Sequence, residues 1–214
     1  MKRIFLYDLS LILVIGFVAS FPNPALTEQK NMQAKKGNIV CLKVNQKGKI
    51  IVIEEYTECN GLLVFIGNDG QVYSVHGPIE ELQKIAKNPK RRMGYPTTLK
   101  VRGTVEGHKK AWHLYLSSLS AEDSQKSEER TIEGTIVCVI PDFSKGSARP
   151  VVASGSCNEL EPHAHVLYSK EGEIYALQGS EEKIINIEKS AKRRNVFIRG
   201  RILGNQKGWI LFVD

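Results

Sequence analysis

The chain has 214 residues, which is enough for one or two domains. Its apolar fraction of 42% and charged fraction of 25% are those of an ordinary globular protein. The formal net charge of +7 is mildly basic. A basic chain can favour anionic partners, but solubility alone explains an excess of this size and is the preferred interpretation.

Residues 1–20 have the pattern of an export signal. Lys2 and Arg3 precede a short apolar run at 9–19, which ends in small residues and predicts cleavage before Phe21. The run is too short to span a bilayer comfortably, so no membrane span is expected after cleavage. No cysteine lies near the cleavage point, which argues against a lipid anchor. The mature protein is therefore expected to be periplasmic or secreted, beginning with a polar, flexible leader over residues 21–36.

Residues 37–118 form a first module with five strand segments and one helix. Asn68-Asp69-Gly70 is a hairpin signal between the second and third strands, because Asp-Gly tolerates the positive φ of tight turns. Pro78 begins the helix, whose apolar residues recur at helical spacing. The predicted segments are a long, bent first strand over 38–44 and 49–55, strands 62–66 and 71–75, helix 78–87, and strands 97–105 and 111–116.

The same order recurs in residues 131–214, after a polar, Ser-rich linker at 119–130. Both modules carry Lys-x-x-Lys-Arg-Arg, then Arg-Gly, then Gly-x-x-x-x-Trp. The two tryptophans of the chain, Trp112 and Trp209, each follow the matching glycine at the same spacing. These coincidences indicate that one module was duplicated.

Five strands with a helix between the third and fourth resemble the OB-fold, a small Greek-key barrel. The predicted fold is therefore mainly β, with two tandem OB-like five-stranded barrels that carry one helix each. The resemblance rests on element order, and exported bacterial OB-fold proteins are the group that it suggests. It implies a binding role, because OB-folds often bind oligonucleotides or oligosaccharides.

The four cysteines fall into two pairs at matching places in the modules. An even number of cysteines in an exported chain predicts disulfides, here Cys41–Cys59 and Cys138–Cys157. Each would stabilise its small barrel by about 3 kcal/mol. One alternative is a redox couple, which the lack of a Cys-x-x-Cys motif disfavours. The other is metal-binding thiolates, since Cys138 and Cys157 could form a four-ligand set with His163 and His165, but Cys41 and Cys59 have no matching histidine pair. Repeat symmetry favours disulfides in both modules.

His163 and His165 lie two residues apart in a segment where the second module is longer than the first. On a strand they face the same way, and with Cys157 or two nearby glutamates they could hold Zn or Cu. The simpler interpretation is a pair of surface histidines, since His-x-His alone is a weak signal.

A basic cluster follows the helix in each module. Cations at this position complement the negative end of the helix dipole, which is the preferred interpretation. The functional alternative is anion binding, to a phosphate or a glycan. Aromatic residues make up only 7% of the chain, and this figure, like the expected location, argues against nucleic acid as the partner. The clusters consist of Lys87, Lys90, Arg91, Arg92, Lys189, Lys192, Arg193 and Arg194.

No Ser/His/Asp or Cys/His catalytic set can be assembled, and the chain has no phosphate-binding glycine loop and no His-Glu-x-x-His motif. The sequence therefore predicts a non-enzyme without a cofactor, an exported tandem binding module whose ligand or protein partner it does not identify. The alternative is a metal-binding exported protein that uses His163 and His165. A third, weaker interpretation is an enzyme whose site forms only in the folded chain.

Overall fold

A computed structural model describes residues 32–53, 59–87, 99–108, 111–116, 129–157 and 162–213. It has two closed five-stranded barrels in tandem, so the predicted mainly β, OB-like class is confirmed. The predicted signal peptide and most of the predicted leader and linker lie outside the described residues. Neither of the two helices in the described part is long and apolar enough to cross a membrane.

The strands and helices follow one another in the same order in both barrels. The first barrel contains β1 (Met32–Val44), β2 (Ile50–Ile53), β3 (Leu62–Gly67), β4 (Val72–His76), α1 (Ile79–Ala86), β5 (Leu99–His108) and β6 (Ala111–Tyr115). The second contains β7 (Glu129–Asp142), β8 (Ser147–Val151), β9 (Ala164–Ser169), β10 (Ile174–Gly179), α2 (Glu181–Lys189), β11 (Val196–Leu203) and β12 (Trp209–Val213). In each sheet five strands close the barrel, and the short second strand, β2 or β8, is a sixth strand at the edge that pairs with the long first strand.

Each barrel closes because its long first strand pairs with two neighbours. In β1 the first half pairs with β5 and the second half with β3, and the two pairings meet at Gly37. A Cβ atom at Gly37 would lie 2.1 Å from the carbonyl oxygen of Ile66, so only glycine fits at this bend. Gly134 has the equivalent place in β7, where a Cβ would lie 2.3 Å from the carbonyl oxygen of Tyr168. The duplicated glycines therefore mark the points at which the barrels close.

The predicted strands differ from the structure in three main places. The expected first strand is two strands, since β2 folds back to pair antiparallel with β1 instead of continuing it. Asn45 and Gly48 make the turn: the Asn45 side chain accepts from the backbone N–H groups of Lys47 and Lys49, and Gly48 has a positive φ of 68°. In addition, β1 begins at Met32 within the predicted leader, and β7 begins at Glu129 within the predicted linker.

The first strands are apolar on both faces because the barrels pack against each other. Ile39 and Cys41 point into the core of the first barrel, whereas Val40 and Leu42 point into a layer between the barrels. Separate modules would not require this second apolar face. The buried residues of the layer are Val40, Leu42, Leu62, Val64, Ile66, Val72, Val137, Val139, Ala148, Ala164, Val166, Ile174 and Ala176.

Polar contacts across the interface are reciprocal. Nε2 of His108 donates to the carbonyl of Gly179 at 3.0 Å, and Nδ2 of Asn205 donates to the carbonyl of Gly77 at 3.1 Å. His108 and Asn205 occupy matching repeat positions, as do Gly77 and Gly179. The two barrels thus contact each other like the subunits of a two-fold dimer joined in one chain.

Candidate metal centre

Strand pairing in the second barrel brings a cysteine and two histidines together. The register of β7 and β9 places Cys138 opposite His165. His163 lies two residues before His165, and both side chains are buried against the same cluster. Because side chains alternate along a strand, residues two apart share a face.

The second cysteine comes from the segment between β8 and β9. The backbone N–H of Cys157 donates to the carbonyl of Glu188, near the end of α2, at 3.2 Å. This bond fixes Cys157 beside the strand pair, where its sulfur packs against Cys138 and Ile140. The centre therefore depends on two strands, one connecting segment and one helix.

Four ligand atoms converge at this point. One atom each from Cys138, Cys157, His163 and His165 lies within 4.8 Å of all the others. Sγ of Cys157 is 2.8 Å from Nε2 of His165, which is 3.1 Å from Nε2 of His163. The side chains are buried, with exposed fractions of 0%, 1%, 3% and 2% in chain order.

These distances suit a single tetrahedral ion. With bonds of about 2.3 Å to sulfur and about 2.0 Å to nitrogen, tetrahedral geometry puts neighbouring ligand atoms about 3.3 to 3.8 Å apart. The convergence of the four atoms therefore requires only small side-chain adjustments to hold one metal ion. All four positions would be filled by protein, which is typical of structural zinc sites and leaves no open position for a substrate.

Arg193 provides positive charge next to the sulfurs. It is buried, and Nη2 donates to Sγ of Cys157 at 2.9 Å. Its other donors bind carbonyls, with Nε 3.1 Å from Gly155 and Nη1 2.9 Å from Ile187, and Nη2 also reaches Glu188. A fixed guanidinium in this position stabilises a thiolate at Cys157.

The protonation states follow from the same contacts. The hydrogen bond with Cys138 lowers the pKa of Cys157, with help from His163 and His165, and the same bond together with burial raises the pKa of Cys138. Burial lowers the pKa of His165, which keeps its imidazole neutral. A thiolate and a neutral imidazole are the forms that bind metal.

The two predicted disulfides have different outcomes. Cys41 and Cys59 are joined, with Cα atoms 5.8 Å apart, so this prediction is confirmed. Cys138 and Cys157 are not joined in the structure, and that prediction is corrected. The physical reason lies in their surroundings, because Cys157 hydrogen bonds to His165 and Arg193. His163 and His165 are also buried, not the surface pair that the simpler interpretation expected.

The basic clusters do not form one surface. Lys90, Arg91 and Arg92 lie outside the described residues. Lys87 is the C-cap of α1 and Lys189 is the last residue of α2. Both cations thus lie at the negative end of a helix dipole, as the preferred interpretation expects. In the second cluster only Arg193 is buried, and Lys192 and Arg194 are exposed. Arg193 binds helix carbonyls and a cysteine sulfur, which agrees with the helix-end interpretation.

A second histidine cluster, which the sequence did not indicate, lies at the barrel interface. Nδ1 of His76 donates to the carbonyl of Gly208 at 3.1 Å, and its Nε2 is 3.2 Å from Nδ1 of His113. Ser74 Oγ lies 2.8 Å from each of these two ring nitrogens. All three side chains are buried. No motif marks them, because their repeat counterparts are not histidines.

A cleft of about 390 Å³ lies between the barrels and is lined by Lys43, Lys207 and Trp209 among others. The ligand-binding role implied by the OB-like fold stays a prediction. Tyr73 and Tyr175 are buried in the barrel cores rather than displayed for base stacking.

Comparison with protein-family models, curated proteins and solved structures found no match to the chain. The assignment of function therefore depends on the geometry of the chain itself.

Proposed function

We propose that this protein is an exported, non-catalytic metal-binding protein that holds one zinc ion at Cys138, Cys157, His163 and His165. The observation that carries the proposal is the convergence of four buried ligand atoms within 4.8 Å. Two thiols and two imidazoles buried at one point are the donor set of a structural zinc site.

The ligand types favour zinc. Two sulfurs and two nitrogens in tetrahedral arrangement suit Zn²⁺, whose charge two thiolates neutralise. Cu(I) is the closest competitor, since it also prefers soft sulfur ligands. The closed ligand set supports a metal that is held by the protein rather than one that reacts with a substrate.

The proposed role of the metal is to fix a part of the second barrel that has little apolar anchoring. Between β8 and β9 the chain leaves the sheet, and the described residues 152–156 include Ser154, Gly155 and Ser156. A metal bound to Cys157 and His163 would tie the middle and the end of this excursion to β7 and β9. In the first barrel, the Cys41–Cys59 disulfide serves the same purpose.

Two observations support a location outside the reducing cytosol. One is the signal-like pattern of residues 1–20. The other is the Cys41–Cys59 disulfide, a bond that is rare in cytosolic proteins.

The test is metal analysis of the purified chain with paired variants. After mild reduction that leaves the Cys41–Cys59 disulfide intact, exposure to zinc and desalting, mass spectrometry of the metal should give one zinc per chain. Cys138→Ser/Cys157→Ser should abolish binding, whereas Cys41→Ser/Cys59→Ser, the matched control from the first barrel, should retain it. Binding that is unchanged in the first variant would disprove the site.

A spectroscopic measurement keeps the test decisive if the first variant does not fold. Co²⁺ in the wild-type chain should show thiolate charge-transfer absorption and the visible bands of tetrahedral coordination. Octahedral Co²⁺ without sulfur absorption would contradict the proposal.

A further inference from the structure

The two cysteine pairs have equivalent places in the fold but different chemical states. Cys41 on β1 lies opposite Leu63 on β3, and Cys138 on β7 lies opposite His165 on β9. Each partner cysteine comes from the segment that enters the next barrel strand. The first pair is a disulfide and the second pair is not.

The neighbouring side chains account for this difference. At the positions of His165 and His163, the continued register of the first barrel has Leu63 and Gly61. Gly61 has no space for a side chain, because a Cβ would lie 1.9 Å from the carbonyl oxygen of Leu42. The first barrel therefore cannot place two imidazoles beside its sulfurs, and the second barrel does.

We propose that Cys138 and Cys157 form a redox switch, in which a peroxide oxidises the two metal-bound thiolates to a disulfide and the metal is released. This inference rests on the proposed zinc site. The evidence for it is the first barrel, where the cysteines at the equivalent positions form a disulfide. The same fold therefore accommodates a disulfide as well as two separate cysteines at these positions. Burial of the two cysteines, at 0% and 1% exposure, favours a small oxidant such as hydrogen peroxide over a protein disulfide.

The chemistry balances with one molecule of hydrogen peroxide. The Cys157 thiolate attacks one peroxide oxygen, the O–O bond breaks, and the hydroxide that leaves takes a proton to become water. The Cys138 thiolate then attacks the sulfenic sulfur of Cys157, the S–O bond breaks, and a second hydroxide is protonated to water. The two thiolates lose two electrons in total and the peroxide gains them. Zinc keeps only two imidazole ligands and dissociates.

Arg193 has a defined part in this sequence. Its guanidinium donates to Sγ of Cys157 and favours the thiolate there, which makes Cys157 the attacking sulfur. Cys138 is then the resolving cysteine.

The experiment uses the zinc-loaded full chain and hydrogen peroxide as the probe. Stepwise addition should release one zinc per chain and consume two thiols together, and peptide mapping should find a Cys138–Cys157 disulfide. Reductant and fresh zinc should restore the starting state. The Cys41→Ser/Cys59→Ser variant should respond like the wild type, because its switch is intact. Cys138→Ser should give a sulfenic or sulfinic acid at Cys157 and no disulfide beyond Cys41–Cys59.

Three results would overturn the inference: zinc that stays bound, zinc release with over-oxidised cysteines, or a disulfide between chains. If the reduced chain takes up no zinc at all, the proposed function fails, and that is seen before any peroxide is added. Zinc uptake without peroxide-dependent disulfide formation leaves the proposed function intact and rejects only the switch.

Discussion

At the scale of single residues, Arg193 explains how two cysteine sulfurs can be buried beside a metal. Its guanidinium lies against Sγ of Cys157 and is held by three backbone carbonyls, so its orientation does not depend on the metal. Groups that orient and charge-balance metal ligands typically change metal affinity by 10 to 100-fold when they are removed.

Replacement of Arg193 by methionine should therefore lower zinc affinity by about 10 to 100-fold, measured by competition with a chromophoric chelator. Arg194→Met is the matched control, because this neighbour is exposed, and its zinc affinity should stay at the wild-type value. Circular dichroism of the zinc-free proteins separates loss of affinity from loss of folding. Equal affinities for the two variants would remove Arg193 from the site.

The sequence contains the site's four ligands, and it offers their grouping only as the alternative to a Cys138–Cys157 disulfide. His163 and His165 are metal candidates from sequence, with Cys138 and Cys157 as the possible thiolates, but repeat symmetry favours a disulfide for the two cysteines. Symmetry was misleading because it compared cysteines with cysteines, whereas the deciding difference is Leu63 in one barrel and His165 in the other. Nothing in the Lys-x-x-Lys-Arg-Arg pattern distinguishes the buried Arg193 from its exposed neighbours.

At the scale of strands and helices, the sequence pattern predicts those elements whose structure depends on a few neighbouring residues. The Asp69-Gly70 hairpin and the helix after Pro78 appear as expected, since both depend on backbone preferences of a few residues. The extra strand β2 was missed because the apolar run of residues 49–53 is compatible with continuation or return, and only the turn at Asn45 and Gly48 decides. The sequence does not predict that β1 packs against the other barrel, because the pattern of one module contains no information about what covers its outer face.

Removal of the first-barrel disulfide tests how strongly one element depends on its covalent link. The bond closes a loop with a sequence separation of 18, so Cys41→Ser/Cys59→Ser should lower the free energy of unfolding by about 3 kcal/mol. Urea denaturation of the zinc-loaded proteins gives this difference from the midpoints and slopes.

The same urea denaturation after removal of zinc by a chelator measures the contribution of the metal to the free energy of unfolding. Zinc removal should lower the free energy of unfolding by a similar amount in the wild type and in the Cys41→Ser/Cys59→Ser variant. The disulfide and the proposed zinc site lie in different barrels and share no residue. A disulfide variant with an unchanged midpoint would show that the first barrel does not need the link.

At the scale of the whole molecule, the two barrels share a continuous buried layer with histidines at its edge. His76 and His113 lie there within hydrogen-bonding distance of each other, beside Ser74 and the ring of Tyr115. Burial lowers the pKa of His76 to about 4 and that of His113 well below its usual value. Both rings are therefore neutral in the folded protein at neutral pH.

This arrangement should make the folded state sensitive to acid. A histidine in the unfolded chain gains a proton below a pKa of about 6.5. The folded pKa is the lower one, so acid favours the unfolded chain, and stability falls as pH drops from about 6.5 towards 4. For His76, the loss between pH 7 and pH 5 should be about 2 kcal/mol.

His76→Gln isolates this contribution, because glutamine is the residue at the matching position in the second barrel, Gln178. Glutamine can donate to the carbonyl of Gly208 and accept from Ser74, so the variant should resemble the wild type at pH 7. Between pH 7 and pH 5 it should lose about 2 kcal/mol less, measured by urea denaturation at each pH. Protonation of the metal ligands destabilises both proteins equally in acid. This contribution therefore cancels when the free energy of unfolding of the variant is subtracted from that of the wild type. Parallel pH profiles would contradict this prediction, because they would mean that the pKa of His76 is the same in the folded and unfolded chains.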